Sequence, residues 1–340
     1  MNPSIPADIG KYRIIRGRGH GQFGTVYEAR DRHLGSDWAL KVIPAPDADQ
    51  VVSSLKEARI LDHCEHKHIV KIREADVARV GASDSVIIAC ELCDRSVQDL
   101  IESEPLSVRS ASSMVCQALF GLEYLHNSGV LHCDLKPSNL LLKKSVVKLS
   151  DFGLAIYLQH QNSPSHTYRV HRPPDVLDGN GWTVACDIYA MGVTLYRLVN
   201  RITDLRSHAP PDLDEQIRRG RFPDRHGYAA HVPDRLKKIC NKAMHPNPAS
   251  RFPNAVALRQ ALEKIAWEVD WSRTSAHEWQ GLGHGKHHKL IAFERSGRWD
   301  VDFLANNRRR RDRCAQGLTT ELEALAYMDR AVMQTSVTAK

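Results

Sequence analysis

The chain has 340 residues with an ordinary globular composition, 42% hydrophobic and 26% charged, which supplies a sizeable core and excludes wholesale disorder. No stretch approaches the ~18 consecutive apolar residues of a membrane-spanning helix, and the N-terminus lacks the apolar segment of a signal peptide. We therefore expect a protein that is neither secreted nor inserted in a membrane. Length alone suggests about two domains.

The net charge is +7, from 47 Lys and Arg against 40 Asp and Glu, and it is unevenly distributed. Residues 272–340 carry 12 basic and 8 acidic side chains, so a fifth of the chain holds more than half of the excess. This basic C-terminal part is therefore either an accessory or a binding surface of its own.

Eight cysteines are scattered singly along the chain, which is typical of reduced thiols in a cytoplasmic protein. Cys90 and Cys93 have the spacing of a metal-binding pair, and His63 and His66 flank a ligand-like run. No second pair completes a zinc site with either of them, so we interpret both as structural.

The apolar pattern changes period along the chain. It predicts short strands over 12–42 and 69–92, separated by a helix over 51–61 that follows a helix-start signal at Asp47. Beyond Asp94 the period is mostly helical. The clearest helical stretches are 108–126 and 184–199. Strands first and helices after them indicate an α+β protein with a small β-rich lobe and a larger helical lobe.

The texture changes again near the C-terminus. A helical run extends from 254 to about 268, and 272–288 is rich in Gly, His and Ser, as in a linker or loop. Two alternating runs, 289–295 and 298–304, flank a hairpin signal, and 319–333 has helical periodicity. The sequence thus predicts a small β-β-α appendage.

A glycine-rich string lies between two predicted strands. Gly19, Gly21 and Gly24 form a G-x-G-x-x-G pattern, which by itself is a weak signal because glycines also serve tight turns. A hairpin with little side-chain bulk can lie over a triphosphate and offer backbone N–H groups, with Phe23 capping its tip. Lys41, 17 residues after Gly24, would add a positive charge on phosphate oxygens.

Two later motifs indicate which role the glycine-rich string has. Residues 131–142 are Leu-His-Cys-Asp-Leu-Lys-Pro-Ser-Asn-Leu-Leu-Leu, and residues 151–153 are Asp-Phe-Gly. With them the chain closely resembles the eukaryotic-type protein kinases. The ordered matches are the glycine string, Lys41, Glu57, Asp134, Asn139, Asp151, Asp175, Asp187 and Arg251.

The resemblance covers about residues 11–267 and implies an α+β, bilobal protein-kinase-like fold. The N-lobe would span about 11–92 and the C-lobe about 93–267, followed by the basic appendage at 272–340, to which we assign no family.

The resemblance also assigns roles to the catalytic residues. Asp134 would orient the attacking hydroxyl and accept its proton, and Lys136 would steady the γ-phosphate of ATP. Asn139 and Asp151 would hold Mg²⁺, with Mn²⁺ as the alternative ion. Glu57 would pair with Lys41 and hold it in place.

The adenine pocket follows from the same resemblance. Val26, Ala39 and Leu141 would sandwich the base, and the backbone around Glu91 and Cys93 would offer hydrogen bonds to its edge. Three further residues are expected to be core residues that also align the active state. They are Leu61, His132 and Phe152.

Substrate class is suggested by the catalytic loop. In the family, a lysine and proline after the catalytic Asp, here Lys136 and Pro137, accompany serine/threonine specificity. Residues 170–175 resemble the loop that positions a peptide, which favours protein substrates.

The chain departs from the family pattern at three places. Cys133 replaces the arginine that binds an activation-loop phosphate, so we expect activity without loop phosphorylation. Asp175 replaces a glutamate that is one methylene longer, which leaves room for a looser strut to Arg251. His20 lies between the first two glycines, and a passive surface role is favoured over pH sensing.

The appendage carries five arginines in six positions, at 308–311 and 313. They would contact nucleic acid together with Trp299 and Phe303, act as a nuclear-import signal, or dock onto the kinase lobe or an acidic partner. The plainest interpretation is a solvated charge run. Docking and the solvated run together are favoured over nucleic acid.

Together these features predict an ATP- and Mg²⁺-dependent serine/threonine protein kinase that acts on proteins and has no membrane partner. We expect a cytoplasmic location, or a nuclear one in a eukaryote. Two alternatives stay open: a catalytically silent scaffold with a kinase fold, and a kinase that its basic tail tethers to nucleic acid.

Overall fold

The computed structural model describes residues 7–21, 24–45, 47–81, 83–158 and 167–338. Along the chain it contains a β-rich lobe, a larger helical lobe and a second β-sheet covered by a helix. Within these ranges no helix combines the length and the apolar character needed to cross a bilayer.

The first lobe is an antiparallel sheet with one helix against it. Its strands are β1 (Asp8–Ile9), β2 (Tyr12–Gly21), β3 (Gly24–Asp31), β4 (Asp37–Pro44), β5 (Ile72–Val80) and β6 (Ser83–Glu91). They lie in the order β1-β2-β3-β4-β6-β5. Helix α1 (Ala48–Asp62) begins where predicted, because the Asp47 carboxylate accepts a hydrogen bond from the Gln50 N–H at 2.8 Å.

The helical lobe is built on two long, buried helices. Its helices are α2 (Val97–Ser103), α3 (Val108–Asn127), α4 (Pro174–Leu177), α5 (Val184–Asn200), α6 (Leu213–Arg218), α7 (Asp234–Ala243) and α8 (Ala255–Glu263). Short strands lie between the lobes: β7 (Arg95–Ser96), β8 (Val130–Leu131), β9 (Leu140–Lys143), β10 (Val146–Leu149) and β11 (Ile156–Tyr157). Helix α5 is almost wholly buried, so it is a scaffold for the loops around it.

The predicted helices over 108–126 and 184–199 are confirmed as α3 and α5. The helix predicted from 254 to about 268 ends earlier, at Glu263. Beyond it Ile265 is buried in the lobe core, and Trp267 pairs with Val337 through an isolated β-bridge. These tertiary contacts draw the chain out of the helix.

The C-terminal part is an antiparallel sheet covered by helix α9 (Glu321–Ser336). Its strands are β12 (Asp270–Ser275), β13 (Glu278–Gly283), β14 (Lys286–Arg295), β15 (Arg298–Ala305), β16 (Arg308–Arg309) and β17 (Ala315–Leu318). The predicted hairpin and terminal helix are confirmed as β14, β15 and α9. The prediction of a linker over 272–288 is wrong, because this segment forms most of β12 and all of β13.

The reason lies in packing that a local pattern does not show. Trp271 and Trp279 are 3% and 4% exposed in the core under α9, where they bury large apolar area. Gly281 and Gly283 are required there, since an added Cβ at Gly281 would lie 2.8 Å from the Trp271 ring. Gly281 therefore makes room for the Trp271 ring, and Gly283 makes room for the Glu268 carbonyl, which would lie 2.2 Å from an added Cβ.

The appendage contacts the helical lobe. The His231 ring lies 4.9 Å from the Trp279 ring between centroids, and the Glu268 N–H donates to Ser336 O at 2.9 Å. Burial and the nearby Arg273 charge lower the pKa of His231 to about 4, so this histidine is neutral in the contact. The placement of a domain boundary between 267 and 272 stays a prediction.

Candidate active site

A lysine and two carboxylates form the centre of the cleft between the lobes. Lys41 on β4 donates from Nζ to both carboxylate oxygens of Glu57 on α1, at 2.9 and 2.7 Å. The same Nζ lies 2.7 Å from Oδ1 of Asp151. The predicted Lys41–Glu57 contact is thus present in the structure. It joins the sheet, helix α1 and the segment after β10.

The second group lies on the loop that connects β8 to β9. Lys136 Nζ donates to Oδ2 of Asp134 at 2.5 Å, and Nδ2 of Asn139 donates to the same oxygen at 2.9 Å. Asn139 also donates to the backbone carbonyl of Asp134 at 2.8 Å, which fixes the loop. The other oxygen, Oδ1 of Asp134, is buried and has no partner among the described residues. A buried acceptor without a partner marks the place for a donor from a substrate.

Two backbone positions at this site have positive φ, 65° at Cys133 and 61° at Asp151. Such backbone is strained for residues with side chains and persists only where contacts hold it. Asp187 on α5 provides them for the first: its carboxylate accepts the N–H groups of His132 at 2.9 Å and Cys133 at 3.0 Å. It also accepts from the Trp182 indole at 2.9 Å.

Asp187 is therefore a positioning residue that sequence reasoning matched in order but gave no role. Its contacts are with groups 54 and 55 residues earlier in the chain, so no local pattern indicates them.

Electrostatics separate the two central carboxylates. Burial raises the pKa of Asp134, and the positive Lys136 beside it opposes the rise. Burial also acts on Asp151, but the charge and hydrogen bond of Lys41 reverse it, and the pKa of Asp151 is lowered. Asp151 is thus held as an anion, as a metal ligand requires, while Asp134 is the more basic carboxylate.

The predicted adenine pocket has a mixed environment. Val26, Ala39 and Leu141 are all half-buried, as expected for residues that line an open cleft. The Cys93 carbonyl accepts a hydrogen bond from Arg18 Nη2 at 2.8 Å, so this acceptor is already used. The Cys93 N–H has no acceptor among the described residues and stays available to a ligand.

Glu91 points its carboxylate away from the base position. It binds Lys143 at 2.8 Å and Lys148 at 2.7 Å, so any role at the adenine edge belongs to its backbone.

The glycines of the β2–β3 hairpin differ in what they allow. A Cβ at Gly24 would lie 2.2 Å from Val42 O, and its φ is +142°, so the backbone there requires glycine. A Cβ at Gly19 would meet nothing within 4 Å. Gly21 pairs with Gly24 in the register, and Phe23, predicted to cap the tip, lies outside the described residues.

A family model described as a protein kinase domain matches residues 12–264. The chain belongs to the protein kinase family. The match ends at α8 and leaves the appendage uncovered.

Curated relatives include kinases with different residue specificities. The membrane-associated tyrosine- and threonine-specific cdc2-inhibitory kinase wee-1.3 of Caenorhabditis briggsae is 31% identical over 252 residues, which are 72% of this chain and 36% of that protein. Ribosomal protein S6 kinase alpha-3 of Mus musculus is 28% identical over 283 residues, 78% of this chain and 36% of the relative. Calcium-dependent protein kinase 4 of Plasmodium falciparum is 28% identical over 265 residues, which are 74% of this chain and 48% of that protein. The match thus spans less than half of each of these relatives.

The residues predicted to align the active kinase form one packed group. Leu61, His132 and Phe152 are 4%, 0% and 1% exposed, and the His132 and Phe152 rings lie 5.0 Å apart between centroids. Burial lowers the pKa of His132, which keeps the ring neutral in this core. His20 is exposed, and its ring bonds to Thr25 Oγ1 at 2.9 Å across the hairpin.

Asp175, at the end of the activation segment (residues 151–175), forms a close ion pair with Arg251. Arg251 donates from Nη2 to Oδ1 of Asp175 at 2.5 Å and from Nη1 to Oδ2 at 3.3 Å. The expectation of a loose pair is therefore wrong. The shorter carboxylate reaches the arginine because the guanidinium is also held by the carbonyls of Ala185 and Pro246.

Cys133 occupies an apolar environment instead of a basic one. It is 1% exposed and packs in a cluster with Leu131, Leu154, Ile156 and Trp182. Thr167 is buried and bonds through its Oγ1 to Nε of Arg172 at 2.8 Å. Other hydroxyl side chains of the segment 151–175 that are candidates for phosphorylation include Tyr168, Ser163 and Ser165. Tyr168 is half-buried, and Ser163 and Ser165 lie outside the described residues.

The metal chemistry fits an ion shared with a nucleotide. Within the described ranges no cluster of three or more His, Cys, Asp or Glu side chains is arranged for a metal, and this includes the Cys90 and His63 motifs. Asp151 and Asn139 offer oxygen ligands beside the cleft, and Mg²⁺ commonly takes one or two protein oxygens and completes its shell with phosphate and water. These residues therefore fit Mg²⁺ bound together with ATP.

Proposed function

We propose that this protein is an ATP- and Mg²⁺-dependent kinase that phosphorylates serine and threonine hydroxyls of proteins. The observation that carries the proposal is the pairing of Lys41 with Glu57 and Asp151. Beside it, the Asp134 carboxylate keeps one buried oxygen that has no partner in the described part of the chain. Charge placement of this kind supplies most of the catalysis of phosphoryl transfer.

The residues divide the work. Asp134 orients the attacking hydroxyl through its Oδ1 and accepts its proton, as the more basic of the two carboxylates. Lys41 and Lys136 hold the phosphate oxygens of ATP. Mg²⁺ held by Asp151 and Asn139 would neutralise charge on the transferred group and its leaving oxygen.

Specificity for serine and threonine is supported by Lys136 and Pro137 in the catalytic loop. The relative wee-1.3 is described as tyrosine- and threonine-specific, so the two acceptor types need direct comparison. A peptide library matched in flanking sequence, with Ser, Thr or Tyr as the acceptor, makes this comparison. Transfer to tyrosine at a rate equal to serine contradicts the specificity.

Independence from loop phosphorylation is supported by the apolar site around Cys133. A phosphate placed there would meet Leu154 and Trp182 instead of an arginine. The backbone of the catalytic loop is instead held by the Asp187 carboxylate, which needs no phosphate.

The test measures ³²P transfer from ATP to a mixed protein substrate before and after phosphatase treatment. We expect the treated enzyme to keep its kcat, and Asp134→Asn to lower kcat by roughly 10³-fold or more without raising the Kd for ATP much. Abolition of activity by the phosphatase contradicts loop independence. Equal background transfer by wild type and Asp134→Asn contradicts catalysis and supports a silent scaffold.

A cytoplasmic location is part of the proposal. All eight cysteines are free thiols, and burial raises the pKa of Cys90 and Cys240 to about 12, which keeps them protonated and unreactive.

A further inference from the structure

The appendage contains a large cleft that the kinase reaction does not use. It has a volume of about 900 Å³ and lies between the C-terminal end of α9 and the edge of the sheet formed by β13–β16. Val269, Phe303 and Val337 form apolar wall, and Lys286, Arg308 and Arg310 are among the lining cations. This volume lies within the range of small-molecule sites in proteins.

The arginines of the run 308–311 do not all face the cleft. Arg308 and Arg310 line the cleft, and so does Arg313 farther along. Arg309 points elsewhere and forms an ion pair with Asp302 through Nη2 at 2.6 Å. Side chains alternate between the faces of a strand, so only alternate members of the run reach the cleft.

Three of the cations that line the cleft have no carboxylate within ion-pair distance among the described residues. They are Lys286, Arg308 and Arg310, whereas Arg313 lies 3.9 Å from the Asp312 carboxylate. The acid that lines the cleft, Glu268, already bonds to the His284 ring and accepts from Thr338 Oγ1 at 2.5 Å. The cleft therefore has an uncompensated positive charge.

The wall of the cleft also contains a histidine, His288. His288 lies beside the Trp271 and Phe303 rings, at 6.0 and 5.8 Å between centroids, and its buried Nδ1 has no partner among the described residues. Burial lowers its pKa, and the charges of Arg313, Lys286 and Arg310 lower it further. His288 therefore lies within the electrostatic range of three of the cations that line the cleft.

The shape disfavours a nucleic acid strand. Strand binding uses exposed aromatic rings on which bases stack. Phe303 is only 2% exposed, and the Arg313 guanidinium lies 5.3 Å from the centre of its ring. Trp271 is 3% exposed. The cleft thus offers concentrated charge without a stacking surface.

We propose that this cleft binds a compact, multiply phosphorylated small molecule. Arg308, Arg310 and Lys286 would bind its phosphate oxygens, since guanidinium groups form bidentate, charge-assisted hydrogen bonds with phosphate. The limited volume of the cleft favours a small polyanion over a long polymer. The site is separate from the kinase cleft and does not depend on the proposed catalytic function.

The test is calorimetric titration of the full chain with inorganic tripolyphosphate, without Mg²⁺. The critical variant is Arg308→Ala/Arg310→Ala, and the matched control is Arg309→Ala/Arg311→Ala, which removes the same charge from the same run. We expect saturable binding with one site, a loss of affinity of roughly 30-fold or more in the first variant, and a change of less than about threefold in the control. Circular dichroism melting checks that both variants fold.

Several results would overturn the proposal. An equal loss of affinity for tripolyphosphate in the two variants would mean a non-specific effect of charge. An unchanged affinity in both variants would mean that tripolyphosphate binds at the ATP cleft. A single-stranded oligonucleotide that binds more tightly than tripolyphosphate, with both variants weakened, favours a nucleic acid surface instead.

A second measurement avoids dependence on the alanine variants. Tripolyphosphate should shift the NMR signal of the His288 ring in the wild type, and Arg308→Lys/Arg310→Lys should retain part of the affinity. A parallel titration with inositol hexakisphosphate distinguishes an organic phosphate ester from an inorganic polyphosphate as the source. If neither probe shifts His288, the proposal is wrong.

Discussion

Two aspartates of the candidate site have pKa values shifted in opposite directions, although desolvation by burial acts to raise the pKa of both. Oδ2 of Asp134 accepts from Lys136 and Asn139, while Oδ1 has no partner among the described residues. Asp151 contacts Lys41, whose own pKa is raised by Glu57 and Asp151 despite the opposing effect of burial. The pairs of charges, not the burial alone, decide the directions of the two pKa shifts.

Removal of Lys136 tests this assignment. The Lys136 charge and hydrogen bond lower the pKa of Asp134, so Lys136→Ala should raise that pKa. Because Asp134 must be ionised to accept a proton, activity falls as the pH drops through its pKa, and the acid limb of the kcat profile should move to higher pH. We also expect kcat to fall roughly 10²-fold at neutral pH.

The control is Lys136→Arg, which keeps the charge and should leave the acid limb near that of the wild type. An acid limb that stays in place in Lys136→Ala would show that Asp134 is not the group that titrates.

At the scale of single residues, the sequence predicted much of this site. Lys41, Asp134, Asn139 and Asp151 were all predicted through the resemblance to protein kinases. In the structure Lys41 contacts Asp151, and Asn139 contacts Asp134. The Asp187 contacts were not predicted, since a hydrogen bond between residues so far apart in the chain depends on how α5 packs beneath the loop.

At the scale of elements, the β2–β3 hairpin depends on one glycine more than on the others. The backbone of Gly24 lies against the carbonyl of Val42 on the neighbouring strand, and its φ of +142° suits glycine alone. The sequence pattern did not distinguish Gly24 from Gly19 and Gly21, because the contact with β4 forms only in the folded sheet.

A pair of substitutions separates these glycines. Gly24→Ala should raise the KM for ATP roughly tenfold and lower the melting temperature, since the hairpin must shift away from β4. Gly19→Ala should change KM by less than about twofold, because its Cβ would meet nothing within 4 Å. Initial-rate kinetics at varied ATP make the comparison, and equal effects of the two substitutions would contradict it.

The appendage gives the second lesson at this scale. Gly, His and Ser favoured a loop over 272–288, yet β12 and β13 form there because Trp271 and Trp279 bury their rings beneath α9. Strand formation depends on what packs against the strand, so local composition was a poor guide.

At the scale of the whole molecule, Asp175 and Arg251 join the end of the activation segment to the loop between α7 and α8. The Arg251 side chain is 0% exposed, and its guanidinium also lies 5.0 Å from the centre of the Tyr189 ring. An arginine buried in this way requires its carboxylate partner.

Asp175→Ala should therefore lower the free energy of unfolding by about 3–5 kcal/mol, because it leaves a buried charge without compensation. Urea denaturation followed by circular dichroism measures the loss. The matched control is Glu263→Ala, which breaks the exposed i,i+4 pair with Arg259 and should cost about 0.5 kcal/mol or less. Similar losses in the two variants would mean that Arg251 finds another partner or reaches solvent.

The sequence by itself predicted the family, the order of the lobes and the candidate catalytic side chains, because the motifs that carry the family resemblance tolerate few alternatives. The uneven charge was also visible from composition. Only the tertiary structure decided that Arg308 and Arg310 line a cleft while Arg309 pairs with Asp302. That division depends on the register of β16 against β15 and on the end of α9, and packing between distant segments sets both.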